Sequence, residues 1–383
     1  MAPVFLGVAL DGAGWHPAAW REPAAQPAEL LTAGYWVDLA GSLEEAGLDF
    51  LTIEDSLALQ SSRGAFHDSR TDLVRGRLDA VMVAARIAPR TQRIGLIPSV
   101  TVTHTEPFHI SKAIATLDFI SSGRAGVRVQ VSARPHEAAH FGRRDMTAPA
   151  DDLFAEAADY VEVVRRLWDS WEDDAEIRDV ATGRFVDRSK LHYIDFEGRW
   201  FRVKGPSITP RPPQGQPPVV ALAHSTVPYR FAASHADLSL ITPMDTADAR
   251  RILEEVAAFR GPNDIRVLAD IVVFLGDSRA EAEDRKDRLD DLFGHHYRSD
   301  ALVFVGTPAE LADLLEEWSG TGIAGFRLRP AGIPHDLELI GTGLVPLLRR
   351  RSLFPEAPRS GTLRHRFGWS RPANRYAPAE VGG

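Results

Sequence analysis

Cysteine is absent from the 383-residue chain. That excludes a thiol nucleophile, a Cys-ligated zinc, an iron–sulfur cluster and a disulfide scaffold. Lysine is nearly absent too, since arginine supplies 40 of the 44 basic residues. Such a ratio points to a GC-rich genome more than to a function. No run of eighteen apolar residues occurs, so no membrane-spanning helix is expected. The first ten residues carry no basic segment and lead straight into Asp11, so no signal peptide is expected and the chain reads as cytoplasmic. A net charge of -9 argues against a nucleic-acid partner. What remains, 44% hydrophobic and 25% charged residues, is the composition of a folded domain with a large core.

The charge is uneven. Residues 349–376 hold eight arginines against one glutamate, a basic C-terminal tail within about 349–383 on an otherwise acidic chain. The tail is expected to lie on the protein's own acidic surface or on a neighbouring subunit; a nucleic-acid arm is the alternative.

Short apolar runs ended by polar loops alternate with stretches of helical spacing. Strands are expected at 4–10, 50–53, 93–100, 125–131, 219–223, 238–241, 266–275 and 325–328. Helices are expected at 36–46, 78–87, 107–120, 154–168, 228–234, 246–259, 279–292, 308–319 and 336–350. Eight such units imply an α/β protein, a TIM (β/α)8 barrel formed as one domain over 1–383. Residues 171–218 break the rhythm, being polar and then proline-rich. They read as an insertion capping the barrel mouth, with a hairpin at 191–203.

In such a barrel the chemistry lies just past the strands' C-terminal ends. Those positions read Asp11 to His16, Glu54-Asp55-Ser56, Thr101 to His104, Gln130-Val131-Ser132, His224-Ser225-Thr226 and Arg327-Leu328-Arg329. Hydroxyls, arginines and a tryptophan suit a phosphorylated aromatic ligand. Simpler roles stand beside that one. Asp55 suits a helix cap equally well, Ser225 and Thr226 make an ordinary helix start before Pro228, and a lone His104 or His224 is commonly structural. Asp11 with Glu54 or Asp55 leaves a carboxylate-pair glycosidase open, though aromatic sugar platforms are lacking. No His-x-His or His-Glu-x-x-His supports a metal site, and no Gly-x-Ser-x-Gly elbow occurs. Gly12-Ala13-Gly14 is followed by Trp-His-Pro, which breaks the dinucleotide fingerprint.

Longer strings carry a resemblance. Gly14-Trp15-His16-Pro17, Arg93-Ile94-Gly95-Leu96, Glu106-Pro107-Phe108-His109 and Ala115-Thr116-Leu117-Asp118 resemble the bacterial luciferase-like flavin monooxygenases. Leu167-Trp168-Asp169-Ser170-Trp171, Arg211-Pro212-Pro213-Gln214-Gly215 and Arg371-Pro372-Ala373-Asn374-Arg375 are similar to its nitrilotriacetate, dibenzothiophene-sulfone and pristinamycin-type branch. The resemblance covers nearly the whole chain. It implies a two-component monooxygenase using O2 and reduced FMN from a separate NAD(P)H:flavin reductase. Oxygen would pass through a flavin C4a-peroxide to a small organic substrate. A homodimer or homotetramer is expected, with no nucleic acid, membrane or metal involved.

The resemblance also assigns residues. Asp55 matches an acidic contact to the isoalloxazine edge, Thr101 or Thr103 the hydroxyl against the ring, and Ser225 with Thr226 the phosphate turn. Ser132 joins this cofactor set. His16 matches a first-loop histidine at the oxygen-reacting face, the expected proton donor, while Trp15, Phe66, His104 and Trp369 are expected to shape the substrate pocket. Departures from the pattern are Val127-Arg128 for Trp-Asn, Leu153-Phe154 for Arg-Tyr, Ala150 for a histidine and His224 for a glycine. Arg128 would face the anionic locus of reduced flavin or form a structural ion pair. These losses motivate the alternatives: a deazaflavin-dependent hydride transferase, or a non-catalytic flavin-binding protein.

Overall fold

Parallel strands buried on both faces read as unbroken apolar runs, and most of the principal strands here do. The computed structural model describes residues 3–61, 68–144, 148–259, 261 and 264–378. The first half runs β1 (Phe5–Leu10), α1 (Ala33–Ala46), β2 (Phe50–Ile53), α2 (Ala80–Ile87), β3 (Gly95–Thr101), α3 (Pro107–Ile120), β4 (Val127–Gln130), α4 (Pro135–Ala139) and α5 (Ala150–Asp169). Two small hairpins follow, β5 (Glu176–Asp179) with β6 (Arg184–Val186) and β7 (Phe196–Glu197) with β8 (Arg202–Val203). Alternation resumes with β9 (Val219–Ala223), α6 (Thr226–His235), β10 (Leu238–Ile241), α7 (Thr246–Ala258), β11 (Arg266–Leu275) and α8 (Arg279–Phe293). Then come β12 (Leu302–Gly306), α9 (Pro308–Ser319), β13 (Gly325–Pro330), α10 (His335–Leu339), α11 (Val345–Arg350) and α12 (Leu363–Arg366).

Pairing runs β10-β9-β4-β3-β2-β1-β13-β11, all parallel, and β10 closes onto β11 with Leu238 opposite Arg266. The result is the expected eight-stranded TIM barrel. Each expected strand becomes a barrel strand; β12, which was not expected, pairs outside the ring with the upper half of β11.

The barrel axis is apolar at the strands' N-terminal ends. Phe50, Ile97, Val220, Leu240 and Leu268 pack there, and Leu363, Phe367 and Trp369 of the tail plug the opening from below. Gly7 has no room for a side chain, since a Cβ would lie 2.3 Å from the Phe50 ring. Trp369 donates its indole N–H to the Asp264 carbonyl at 2.9 Å, just before β11. It therefore belongs to the floor, at the opposite end from the mouth, and the expectation that it shapes the substrate pocket is corrected. The tail's arginines pair with the chain's own carboxylates, Arg359 with Asp49, Arg364 with Asp237 and Arg371 with Asp173.

The 171–218 segment does not cap the mouth. It joins the end of α5 to the start of β9, and in a barrel that connection begins and ends at the floor. Ile194 and Phe196 pack on Val163 and Leu167 along α5, and only the second hairpin climbs far enough to place Arg199 2.9 Å from Asp152. At the mouth lie instead the described parts of the β2–α2 connection, 54–61 and 68–79. Arg77 binds Asp11 there at 2.7 Å, and Trp20 donates to the Asp72 carbonyl at 3.0 Å. Among the described residues, no helix is long and apolar enough to cross a membrane.

Candidate active site

Above the apolar floor the barrel interior turns ionic. Register places Ser99 opposite Arg128 and Asp270 opposite Arg327, so each arginine meets a partner on the next strand. Arg128 donates to Ser99 Oγ at 2.8 Å and to Gln130 Oε1 at 3.2 Å, and pairs with Glu54. Arg327 donates to Asp270 Oδ1 at 2.8 Å and to Thr52 and Glu54 at 3.0 Å. Arg329 reaches Asp270 at 2.8 Å and Asp300 at 2.6 Å, and its guanidinium lies 4.6 Å from the centre of the Trp15 ring. Three guanidiniums thus face three carboxylates. Burial alone would raise the Asp270 carboxyl, but Arg327 and Arg329 outweigh it and hold it below the usual range. Partial burial would raise Asp300 too, but its side chain stays 43% exposed and Arg329 brings it to about 2.

The sector over β3, β4 and β9 carries hydroxyls instead. Ser132 N–H donates to Thr103 Oγ1 at 3.0 Å, and the Thr101 carbonyl accepts from Thr105, whose hydroxyl lies 3.1 Å from that of Tyr160. His104 sits at φ 76°, stacked 5.5 Å from Phe141, and its buried Nε2 has no protein partner. Burial pushes its pKa down. Glu137, opposite on α4, accepts from Ser56 and Arg134 through Oε1, and its buried Oε2 is likewise unpartnered. Next along the rim, His224, Ser225 and Thr226 are exposed at the N-terminus of α6, where the Ser225 side chain makes no capping bond. Thr226 donates to Glu255 at 2.6 Å.

A family profile described as luciferase-like monooxygenase matches residues 15–299. The chain belongs to that family. It is a flavin-dependent monooxygenase. Similar proteins include the N-acetyl-S-(2-succino)cysteine monooxygenase of Bacillus subtilis (strain 168), 30% identical over 97% of this chain and 98% of its own. Nitrilotriacetate monooxygenase component A of Aminobacter aminovorans is 28% identical over 97% and 98%. Among solved structures, a riboflavin lyase with modified FMN and riboflavin superposes with a TM-score of 0.85 at 25% identity, covering 97% of each chain.

In this luciferase-like monooxygenase the expected site residues fall into separate groups. Thr101, Thr103, Ser132 and His104 share one sector, with Ser225 and Thr226 beside them because β4 and β9 are neighbours. Two unpartnered buried polar atoms and a free serine at a helix start are what a flavin with its phosphate would need, so these residues fit the group. Asp55 is occupied otherwise: its oxygens accept the N–H groups of Ser56 at 2.7 Å and Ala80 at 3.0 Å, fastening β2 to the start of α2. Phe66 lies outside the described residues.

His16 is the larger correction. Ala18 N–H donates to its Nδ1 at 3.1 Å, which leaves Nε2 to donate to Asp290 Oδ1, also at 3.1 Å. Both ring nitrogens are spent and the side chain is buried, so the expected proton donor is a structural anchor of the first loop. Burial lowers its pKa, only partly opposed by Asp290. Burial would also raise Asp290, but hydrogen bonds from Lys286, Tyr297 N–H and His16 bring it to about 2.

Arg128 proves to be the ion-paired alternative. Because its guanidinium is committed to Glu54, Arg128→Asn should change the affinities for oxidised and reduced FMN by the same factor. Anaerobic titration of both redox forms would expose a direct contact to the anionic form as a selective loss of about tenfold or more. The ionic layer was legible in part: Arg327-Leu328-Arg329 and Asp270 lie in buried strands, and buried charges demand partners. Which partners they would take was not.

Proposed function

We propose that this chain is the oxygenase half of a two-component system, using reduced FMN and O2 to oxygenate a small organic substrate. The observation that carries this reading is the hydroxyl-rich β3–β4–β9 sector, ending in an uncapped serine at the start of a ten-residue helix. Ser225, His224 and the α6 N-terminus would hold the phosphate, where backbone N–H groups and the helix dipole favour an anion. Thr101, Thr103 and Ser132 would line the ring, with His104 Nε2 and Glu137 Oε2 as the polar groups still free to bond it. Bound reduced FMN supplies two electrons that, with O2, place one oxygen atom in the substrate and release the other as water. The protein would orient the ring, and residues 68–79 beside the mouth would help to keep water out. A modified FMN accompanies the riboflavin lyase of similar fold.

The phosphate is the part to test. Ser225 makes no capping bond, so Ser225→Ala should leave the melting temperature unchanged. Losing a hydrogen bond to a charged group should weaken FMN about tenfold or more. Riboflavin, which lacks the phosphate, should bind wild type and variant alike by fluorescence titration; equal weakening of both ligands would remove the phosphate from this turn.

A further inference from the structure

Two cavities, of about 250 and 240 Å3, open beside the Asp11–Arg77 pair and share Trp20, Leu73 and Val74. The first lies over the ends of β1 and β2 against the start of α1, in the sector away from the hydroxyls. The larger part of its wall is carbon, from Trp20, Leu30, Trp36, Leu73, Val74 and Leu78. The indole N–H groups do not face a ligand, because Trp20 donates to the Asp72 carbonyl and Trp36 to the Leu30 carbonyl, each at 3.0 Å. Leu31, at the rim, is 63% exposed.

The charges on that wall are all taken. Arg77 holds Asp11 in a fork, Nε to Oδ1 at 3.1 Å and Nη2 to Oδ2 at 2.7 Å. Arg75 is paired with Asp68 and donates to the Arg70 carbonyl at 2.9 Å. Glu54 belongs to Arg128 and Arg327. An anionic ligand would find no uncommitted cation here and would have to break a pair to gain one, leaving a carboxylate stranded.

We infer that this cavity is the substrate site and that it takes a neutral, largely apolar molecule of about ten non-hydrogen atoms, not a polycarboxylate. The size follows from a volume just under the roughly 300–1,000 Å3 of drug-sized ligand sites. The polar end of such a substrate would meet the Thr71 hydroxyl, the uncharged polar side chain of the wall. The inference rests on the oxygenase reading for the word substrate; the pocket's preference can be measured without it.

The experiment is calorimetric titration of the flavin-free chain with naphthalene and with nitrilotriacetate. Naphthalene should bind and nitrilotriacetate should not. Leu73→Glu should weaken naphthalene at least tenfold, and Leu31→Glu, on an exposed position that folding does not depend on, should weaken it several-fold. Binding of nitrilotriacetate, absence of naphthalene binding, or an affinity unmoved by Leu31→Glu would each overturn the inference. If naphthalene binds as expected but no oxygenation of any neutral compound follows with reductase, FMN and O2, the oxygenase reading fails while the pocket's preference stands.

Discussion

An Asp270→Ala variant should lose about 3–5 kcal/mol of stability, the usual effect of removing one partner from a buried ion pair. Asp270 is fully buried and accepts from both Arg327 and Arg329 at 2.8 Å. Without it, Arg329 keeps Asp300 and Arg327 keeps Glu54, but three buried guanidiniums then face only two carboxylates, of which Asp300 is partly exposed. The damage belongs to the uncompensated charge and not to lost volume. Asp270→Asn, nearly identical in shape, should therefore be almost as harmful. Asp270→Leu combined with Arg327→Leu should recover much of the loss, since it removes charge in pairs. Denaturant midpoints of the three variants would test the ordering. The sign with pH follows from the lowered carboxyl. Its stabilisation is present above the unfolded-state value near 4 and is lost as pH falls below it toward the depressed folded-state value. Wild type should thus lose stability on acidification in that window, and the double-leucine variant should lose less.

The purified chain supplied with oxidised FMN should consume NADH or NADPH no faster than a control without protein. Adding an unrelated flavin reductase should then switch on oxygenation of a suitable substrate, an all-or-none effect. Reducing its own flavin would require a dinucleotide-binding unit or a surface that stacks nicotinamide on the ring. The glycine fingerprint of the first is missing from the sequence. The second would have to share a mouth already occupied by residues 54–61 and 68–79, where Arg70 reaches the Phe293 carbonyl at 2.7 Å and Gln60 the Gly76 carbonyl at 3.0 Å. Rapid NADH oxidation by the chain alone would make it a self-sufficient flavin enzyme and sink the two-component reading.

The strands and helices were legible because burial on both faces leaves a local record. A run such as Val219–Ala223 is apolar throughout, and α5 shows its inner face at helical spacing. The strand β12 was not, because four half-buried residues and a buried glycine between polar loops carry too short a pattern to separate from loop.

By itself, then, the sequence determined the barrel, its eight strands, the family and the strand-end positions where chemistry gathers. All of these depend on local pattern or on contiguous strings. Only the tertiary structure decided what each polar residue there is joined to. Glu54 and Arg128 stand 74 positions apart, His16 and Asp290 stand 274 apart, and barrel closure sets both distances. It also carried the tail's Trp369 to the floor and the 171–218 segment down the outside of α5. A hydrogen-bonding group declares its need for a partner in the sequence; only the closed register says which partner arrives.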